Sequence, residues 1–176
     1  MRERVIRLSK KQKMLFGGSI LVNLILIIIV IVGYLKMNLV HEQLFYSEVQ
    51  WKLVELDGLI EHQKETNWSE PNLVTTQMSA ILNGIFVAKS SGEYSGWISS
   101  NERMTMESLY AALNRYPHDE IYTFSELTQA DKESFEDLQV KLQNLGFGME
   151  MTISNDWKTF LNKAEKLIAL LRIQTM

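Results

Sequence analysis

Glu107-Ser108, within Met104–Tyr116, places a carboxyl group beside a hydroxyl on a stretch with helical spacing. A helical glutamate of this kind can protonate a glycosidic oxygen, and peptidoglycan would be the natural substrate in an envelope protein. The Gly-Leu-Met-Gln-like segment that follows such a glutamate in peptidoglycan-cleaving enzymes is missing. The pair therefore reads as a chance neighbour on a helix surface, and a peptidoglycan-acting hydrolase ranks third among the functional classes. Gly92-Glu93-Tyr94-Ser95-Gly96 approaches a nucleophile elbow, but its serine stands one place late and no strand precedes it. Ser-x-x-Lys does not occur.

Metal chemistry would fall to His41, His62 and His118. A di-iron helical site needs Glu-x-x-His on two helices, whereas Leu59 stands three residues before His62. His118-Asp119-Glu120 follows Pro117 and reads as a solvated polar turn rather than a cation site. There is no cysteine, which removes thiol catalysis, thiolate metal sites, disulfides and lipid attachment at a processed cysteine. The expectation is a chain that is not an enzyme and holds no cofactor.

Interaction residues are the better candidates. Tyr94 and Trp97, with Ile98, lie among small polar residues, and loop aromatics anchor interfaces. The competing reading buries Trp97 in the end of the domain, and it is the favoured one. Asn23 is the strongly polar residue of an otherwise apolar run, with Gly17, Gly18 and Ser19 a turn earlier. An amide in lipid needs a partner, which a second copy or another protein's helix would supply; a tolerated single amide is the equal alternative.

The elements that position these residues follow from charge and periodicity. Residues 1–13 carry Arg2, Arg4, Arg7, Lys10, Lys11 and Lys13 against Glu3 alone. Residues 14–35 carry no charge, a length close to the ~20 residues that cross a bilayer. With the basic head and Lys36 set aside, the remainder carries a net charge of roughly −9, against −3 for the whole chain. An acidic body argues against nucleic acid. A cleaved signal peptide is the alternative to an anchor, but its apolar core is shorter, and Ile31-Val32-Gly33-Tyr34 is a poor small-x-small site. The expected organisation is a cytoplasmic basic tail (1–13), a transmembrane helix (14–35) and an extracytoplasmic helical domain (36–176). Its location is a cell membrane, single-pass, and the cysteine-free body suits a bacterial envelope.

Helical spacing continues past the span: Val32, Leu39, Tyr46, Leu53 and Ile60 fall seven apart, with Leu35, Val49 and Leu56 between them and Glu42 and Gln63 as interruptions. One helix to about Thr66 is predicted. Later stripes predict a helix with Ser69 as its N-cap and Pro71 in its first turn up to a break at Ser90–Ser100, then helices from about Glu102 to before Pro117, from the capping signal at Thr128 to Gly146, and after Ser154. Such stripes bury one another in a helical bundle. Phe147–Ile153 alternates with period two, and Glu120–Phe124 is its candidate partner in a small two-stranded accessory.

The expected class is mostly α, and the expected role is a non-enzymatic anchored protein that works by protein–protein interaction or scaffolding. The runner-up is an extracytoplasmic ligand-sensing subunit working through a partner membrane protein. Expected partners are the lipid bilayer, another membrane or envelope protein, or a second copy in a parallel homodimer along the stalk. Burial of Leu53, Leu56 and Ile60 against the chain's own later helices is expected to compete with that pairing. Topology is testable directly. A reporter active only outside the cytoplasm should be active after Met176 and silent at Met1, because basic residues stay inside; a silent C-terminal fusion would reverse the assignment.

Overall fold

The structure, a computed structural model, describes residues 9–149 and 156–173. It divides into two compact units, residues 1–39 and 40–176. The first contains most of helix α1, Lys10–Phe45. Ser9 and Gln12 start it reciprocally: the Gln12 amide donates to Ser9 Oγ at 3.3 Å and the Ser9 amide to Gln12 Oε1 at 2.8 Å. From Met14 to Leu35 the large apolar side chains are exposed on every side of the helix. A helix apolar all round has no polar face to give to water. This one is long and apolar enough to cross a membrane.

The second unit begins with the end of α1 and continues without a break through a π-turn, Tyr46–Gln50, into α2, Trp51–Glu65. Helices α3 (Asn72–Tyr94), α4 (Ser100–Leu113), α5 (Gln129–Asn144) and α6 (Trp157–Ile173) follow. Neighbours around the core run α2, α3, α4, α6, α5. Leu53, Leu56 and Ile60 of α2 are fully buried there with Met78 and Ile81 of α3, Leu109 of α4, Phe135 and Leu138 of α5, and Phe160 and Leu167 of α6. The later part of the first helix is thus covered by the chain's own helices.

The π-turn corrects the heptad reading. Trp51 N–H donates to the Tyr46 carbonyl, five residues back. The buried face of this stretch is His41, Phe45, Val49 and Leu53; Val49 and Leu53 belong to the predicted stripe, but Leu39 is exposed and Tyr46 only half-buried. Steps of four along an α-helix drift by about 120° over twelve residues, and the extra residue of a π-turn removes about 100° of that drift. Gln63, an interruption in the stripe, is buried, and its Oε1 accepts the Glu70 N–H at 2.9 Å, which holds the chain's turn out of α2.

Three helix ends share one geometry. After α2, α3 and α5 the chain enters the left-handed region at Asn67 (φ 54), Gly96 (φ 67) and Gly146 (φ 76). The next amide then reaches back to the last turn: Trp68 to Gln63, Trp97 to Gly92 and Phe147 to Leu142. Helix α3 runs through Ser90–Gly92, where a break was predicted. Ile98 folds back onto Gly92, so that a Cβ there would lie a tight 3.0 Å from Ile98 Cγ2. Helix α4 starts two residues earlier than predicted, on a capping box between Ser99 and Glu102. The box at Thr128 forms as predicted, with Asp131 as its partner. Pro71, not Ser69, is the residue before α3.

Among the described residues there is no strand, so the two-stranded accessory is not seen there. Glu120–Phe124 is a tight turn closed by one Glu120–Thr123 bridge. Of the opposing segment, Phe147 is buried and Met149 exposed, so they do not share a face, and residues 150–153 lie outside the described residues.

Two glycines of the helical unit should respond oppositely to alanine. A Cβ on Gly84 would collide with the backbone carbonyl of Glu48, and backbone cannot yield. A Cβ on Gly58 would meet the thioether of Met149, which is free to swing away. Gly84→Ala should destabilise the full chain in detergent by about 2–3 kcal/mol, and Gly58→Ala should fall within about 1 kcal/mol of neutral, helped by helix propensity. Urea unfolding followed by circular dichroism checks both; equal effects would mean that the two helices do not touch at Gly84.

Candidate functional site: an anchored aromatic turn

The residues between α4 and α5 leave the core at Tyr116, which is buried against Phe135 at a ring separation of 5.4 Å. Burial, with Asp137 beside it, pushes the Tyr116 hydroxyl up to about 12, so it stays neutral at the foot of the loop. His118 Nδ1 lies 2.8 Å from the Tyr116 carbonyl and donates to it. Asp119 then fixes the chain to α3. Its Oδ2 accepts the Thr76 hydroxyl at 2.5 Å, its Oδ1 accepts the Ser125 N–H at 2.9 Å, and its carbonyl accepts the Ser79 hydroxyl at 2.9 Å. Partial burial alone would raise the Asp119 carboxyl, but the donors from Thr76 and Ser125 outweigh it and hold the group below its ordinary range.

Within that clamp the chain makes a turn, with the Glu120 amide bonded to the Thr123 carbonyl at 3.0 Å and the return bond at 3.3 Å. Ile121 is 88% exposed, Tyr122 96% and Phe124 68%. Single exposed apolar residues are ordinary, but three within four positions on a held turn form a patch. Burying each on a partner would return about 1.5–3 kcal/mol of transfer free energy.

A shallow groove of about 250 Å3 reaches the base of the turn between α3 and α4, lined by Asn83, Phe86, Tyr110, His118 and Asp119. It continues past Phe86 and Tyr110 into a second groove of about 340 Å3, ending at Lys89 and Glu107. Glu107 there accepts Arg103 at 2.7 Å and Lys89 at 3.4 Å. The carboxylate that opened the catalytic question is thus engaged in an ion-pair cluster at the rim of an aromatic strip. Among the described residues, no three His, Asp or Glu side chains gather to hold a metal ion.

The structure separates the residues proposed from sequence. Tyr94 stands in solvent at the end of α3. Trp97 turns inward, stacked on His41 at 5.3 Å and leaning on Trp157 at 4.9 Å. Phe45 and Phe160 extend this cluster, and Trp157 Nε1 donates to Glu102 at 2.7 Å. Trp97 therefore closes one end of the helical unit. Asn23 sits on α1, where its Nδ2 donates to the Ser19 carbonyl one turn back at 2.8 Å, so its own helix supplies one partner. Sequence reasoning passed over Ile121, Tyr122 and Phe124 as an interaction surface because Glu120–Phe124 reads as the strand partner of the alternating segment Phe147–Ile153. The signal that separates the two is the Asp119…Ser125 bracket, an aspartate able to close a loop on a downstream amide.

Comparison with protein-family models, with curated proteins and with solved structures finds no match to the chain.

The clamp carries its own pH dependence. Because the folded state lowers the Asp119 pKa, its contribution is complete above the ordinary carboxylate value of about 4. It is lost as pH falls below that value, through the lowered folded pKa. The Ser125 amide shift in NMR spectra of the chain in micelles should titrate with a midpoint below about 4. Asp119→Asn should abolish the titration, and a midpoint at or above the ordinary value would show that the amide does not read this carboxylate.

Proposed function

We propose that this chain is a membrane-anchored, single-pass protein that presents its helical unit outside the cytoplasm and acts there, without catalysis, by binding another envelope protein. The observation that carries the reading is the turn at Ile121–Phe124. Apolar side chains of this size are held in water by a clamp of polar bonds, at the end of an aromatic groove. A preorganised anchor loses less conformational entropy when it docks. The Lys89–Glu107–Arg103 cluster at the other end of the groove supplies a polar rim. The exposed apolar helix α1 supports the anchor, and the basic residues before it support a cytoplasmic N-terminus.

A photoreactive phenylalanine analogue at position 122 of the full-length chain in native membranes tests this. It should give one discrete adduct, and the same analogue at Glu165 on α6 should not. Ile121→Ser with Phe124→Ser should reduce that adduct by about tenfold or more, the scale of a lost aromatic or aliphatic anchor. Equal, diffuse crosslinking from both positions, or an adduct insensitive to the serine changes, would reject the surface.

A further inference from the structure

A second feature, separate from the aromatic surface, lies where the chain leaving α5 crosses α2. Gly148 and Met149 pass over Asp57 and Gly58: the Met149 N–H donates to Asp57 Oδ2 at 3.2 Å, and the Met149 thioether lies on Gly58. Asp57 is only 4% exposed. Its other oxygen, Oδ1, is buried and meets no hydrogen-bond donor among the described residues. Native structures rarely leave such a group unsatisfied, since an unmade buried hydrogen bond is costly and more so for a charge.

Asp57 lines a cleft of about 780 Å3 whose wall includes Glu61, Lys64, Glu65 and Gln143. Lys64 does not answer Asp57. Its Nζ donates to Glu61 Oε2 at 3.1 Å and to Gln139 Oε1 at 3.2 Å. Glu61 also accepts Gln139 Nε2 at 2.7 Å, and the bonds from Gln139 and Lys64 hold its carboxyl below the ordinary range. One lysine and one glutamate thus neutralise each other, leaving Asp57 and Glu65 as the other acids of the cleft, with His62 on the same wall. A carboxylate only accepts, so whatever satisfies Oδ1 must bring a donor. A cationic donor makes a bond roughly twice as strong as a neutral one. A divalent metal is a poorer fit, because no three of the described His, Asp or Glu side chains converge to ligate one. The thioether of Met149 and the bare backbone at Gly58 add an apolar wall beside the acid.

We infer that this cleft binds a small organic cation, a primary ammonium or guanidinium on a short apolar chain, with an N–H of the cation donated to Asp57 Oδ1. Calorimetric titration of the full-length chain in detergent micelles with agmatine and with putrescine is the test. 1,4-Butanediol serves as the uncharged analogue and magnesium as the competing cation. At least one amine should bind saturably and the diol should not. Asp57→Asn should weaken the amine by about tenfold or more, the scale of a charge-assisted bond, while Glu133→Gln on α5 should leave it unchanged. No saturable amine binding at millimolar concentration, amine binding unchanged in Asp57→Asn, or Asp57-dependent binding of magnesium alone would each overturn the inference. Should Asp57→Asn lose its helical circular dichroism, the wild-type chain decides. Agmatine must then shift the Met149 amide resonance, and an unmoved Met149 amide would overturn the inference.

Discussion

The helical unit depends on one close approach, that of the α3 backbone at Gly84 to the carbonyl of Glu48 in the π-turn. Only a residue without a Cβ lets α3 lie there, and only the extra residue of the π-turn keeps His41, Phe45, Val49 and Leu53 on the side that α3 and its neighbours cover. Gln77 secures the same interface further along, donating to the Lys52 carbonyl and to Glu55, each at 3.0 Å. With α3 placed, α4 and then α6 pack behind it, and α5 closes on the free side of α2. An unbroken α-helix from Tyr46 onward would turn Leu53 by about 80° from Phe45 and by about 120° from His41.

Both ends of this unit are finished by a tryptophan whose indole N–H is donated to a glutamate. Where the unit begins, rings do the closing: His41, Phe45, Trp97, Trp157 and Phe160 form one connected cluster. A single carboxylate organises it, since Glu102 both caps α4 through Ser99 and accepts the indole N–H of Trp157. Partial burial would raise the Glu102 carboxyl, but the donors from Ser99 and Trp157 prevail and keep it below the ordinary range. At the opposite end, Trp68 carries a left-handed backbone (φ 57) that a bulky side chain seldom adopts. Its ring rests on Phe135 and its Nε1 donates to Glu136 at 3.0 Å, so tertiary contacts hold the strain in place.

The aromatic turn and the Asp57 cleft have a common logic. In each, an aspartate on a well-held element accepts a backbone N–H from a passing segment: Ser125 for Asp119, Met149 for Asp57. Asp119 has both oxygens engaged, so its loop is fixed and its neighbours are free to project apolar groups. Asp57 has one oxygen engaged and one without a donor among the described residues, so its own capacity is what remains on offer. The first arrangement suits a protein surface and the second suits a small donor.

The sequence by itself determined the apolar helix, the existence of the later helices and most of their buried faces. Residues 14–35 carry no charge, and three- and four-residue spacing marks one side of each later segment, so both are properties of local composition and period. Capping at Thr128 and the stop at Gly146 were legible for the same reason, because cap chemistry is confined to a few neighbouring residues. Tertiary structure alone decided the rest. Periodicity assumes a constant turn, so it could not register the π-turn that moved the buried face from Tyr46 to Phe45. Strand pairing between distant segments is not a local property, so Ile121, Tyr122 and Phe124, read as a partner strand for Phe147–Ile153, instead stand in water on a tight turn. Trp97 and Tyr94, three residues apart, went to a half-buried ring stack and to solvent because the first meets His41 and Trp157, which come from distant parts of the chain. The role of Asp57 was equally hidden: a single acid on a helix looks solvated until a segment some ninety residues later lies across it and removes the water.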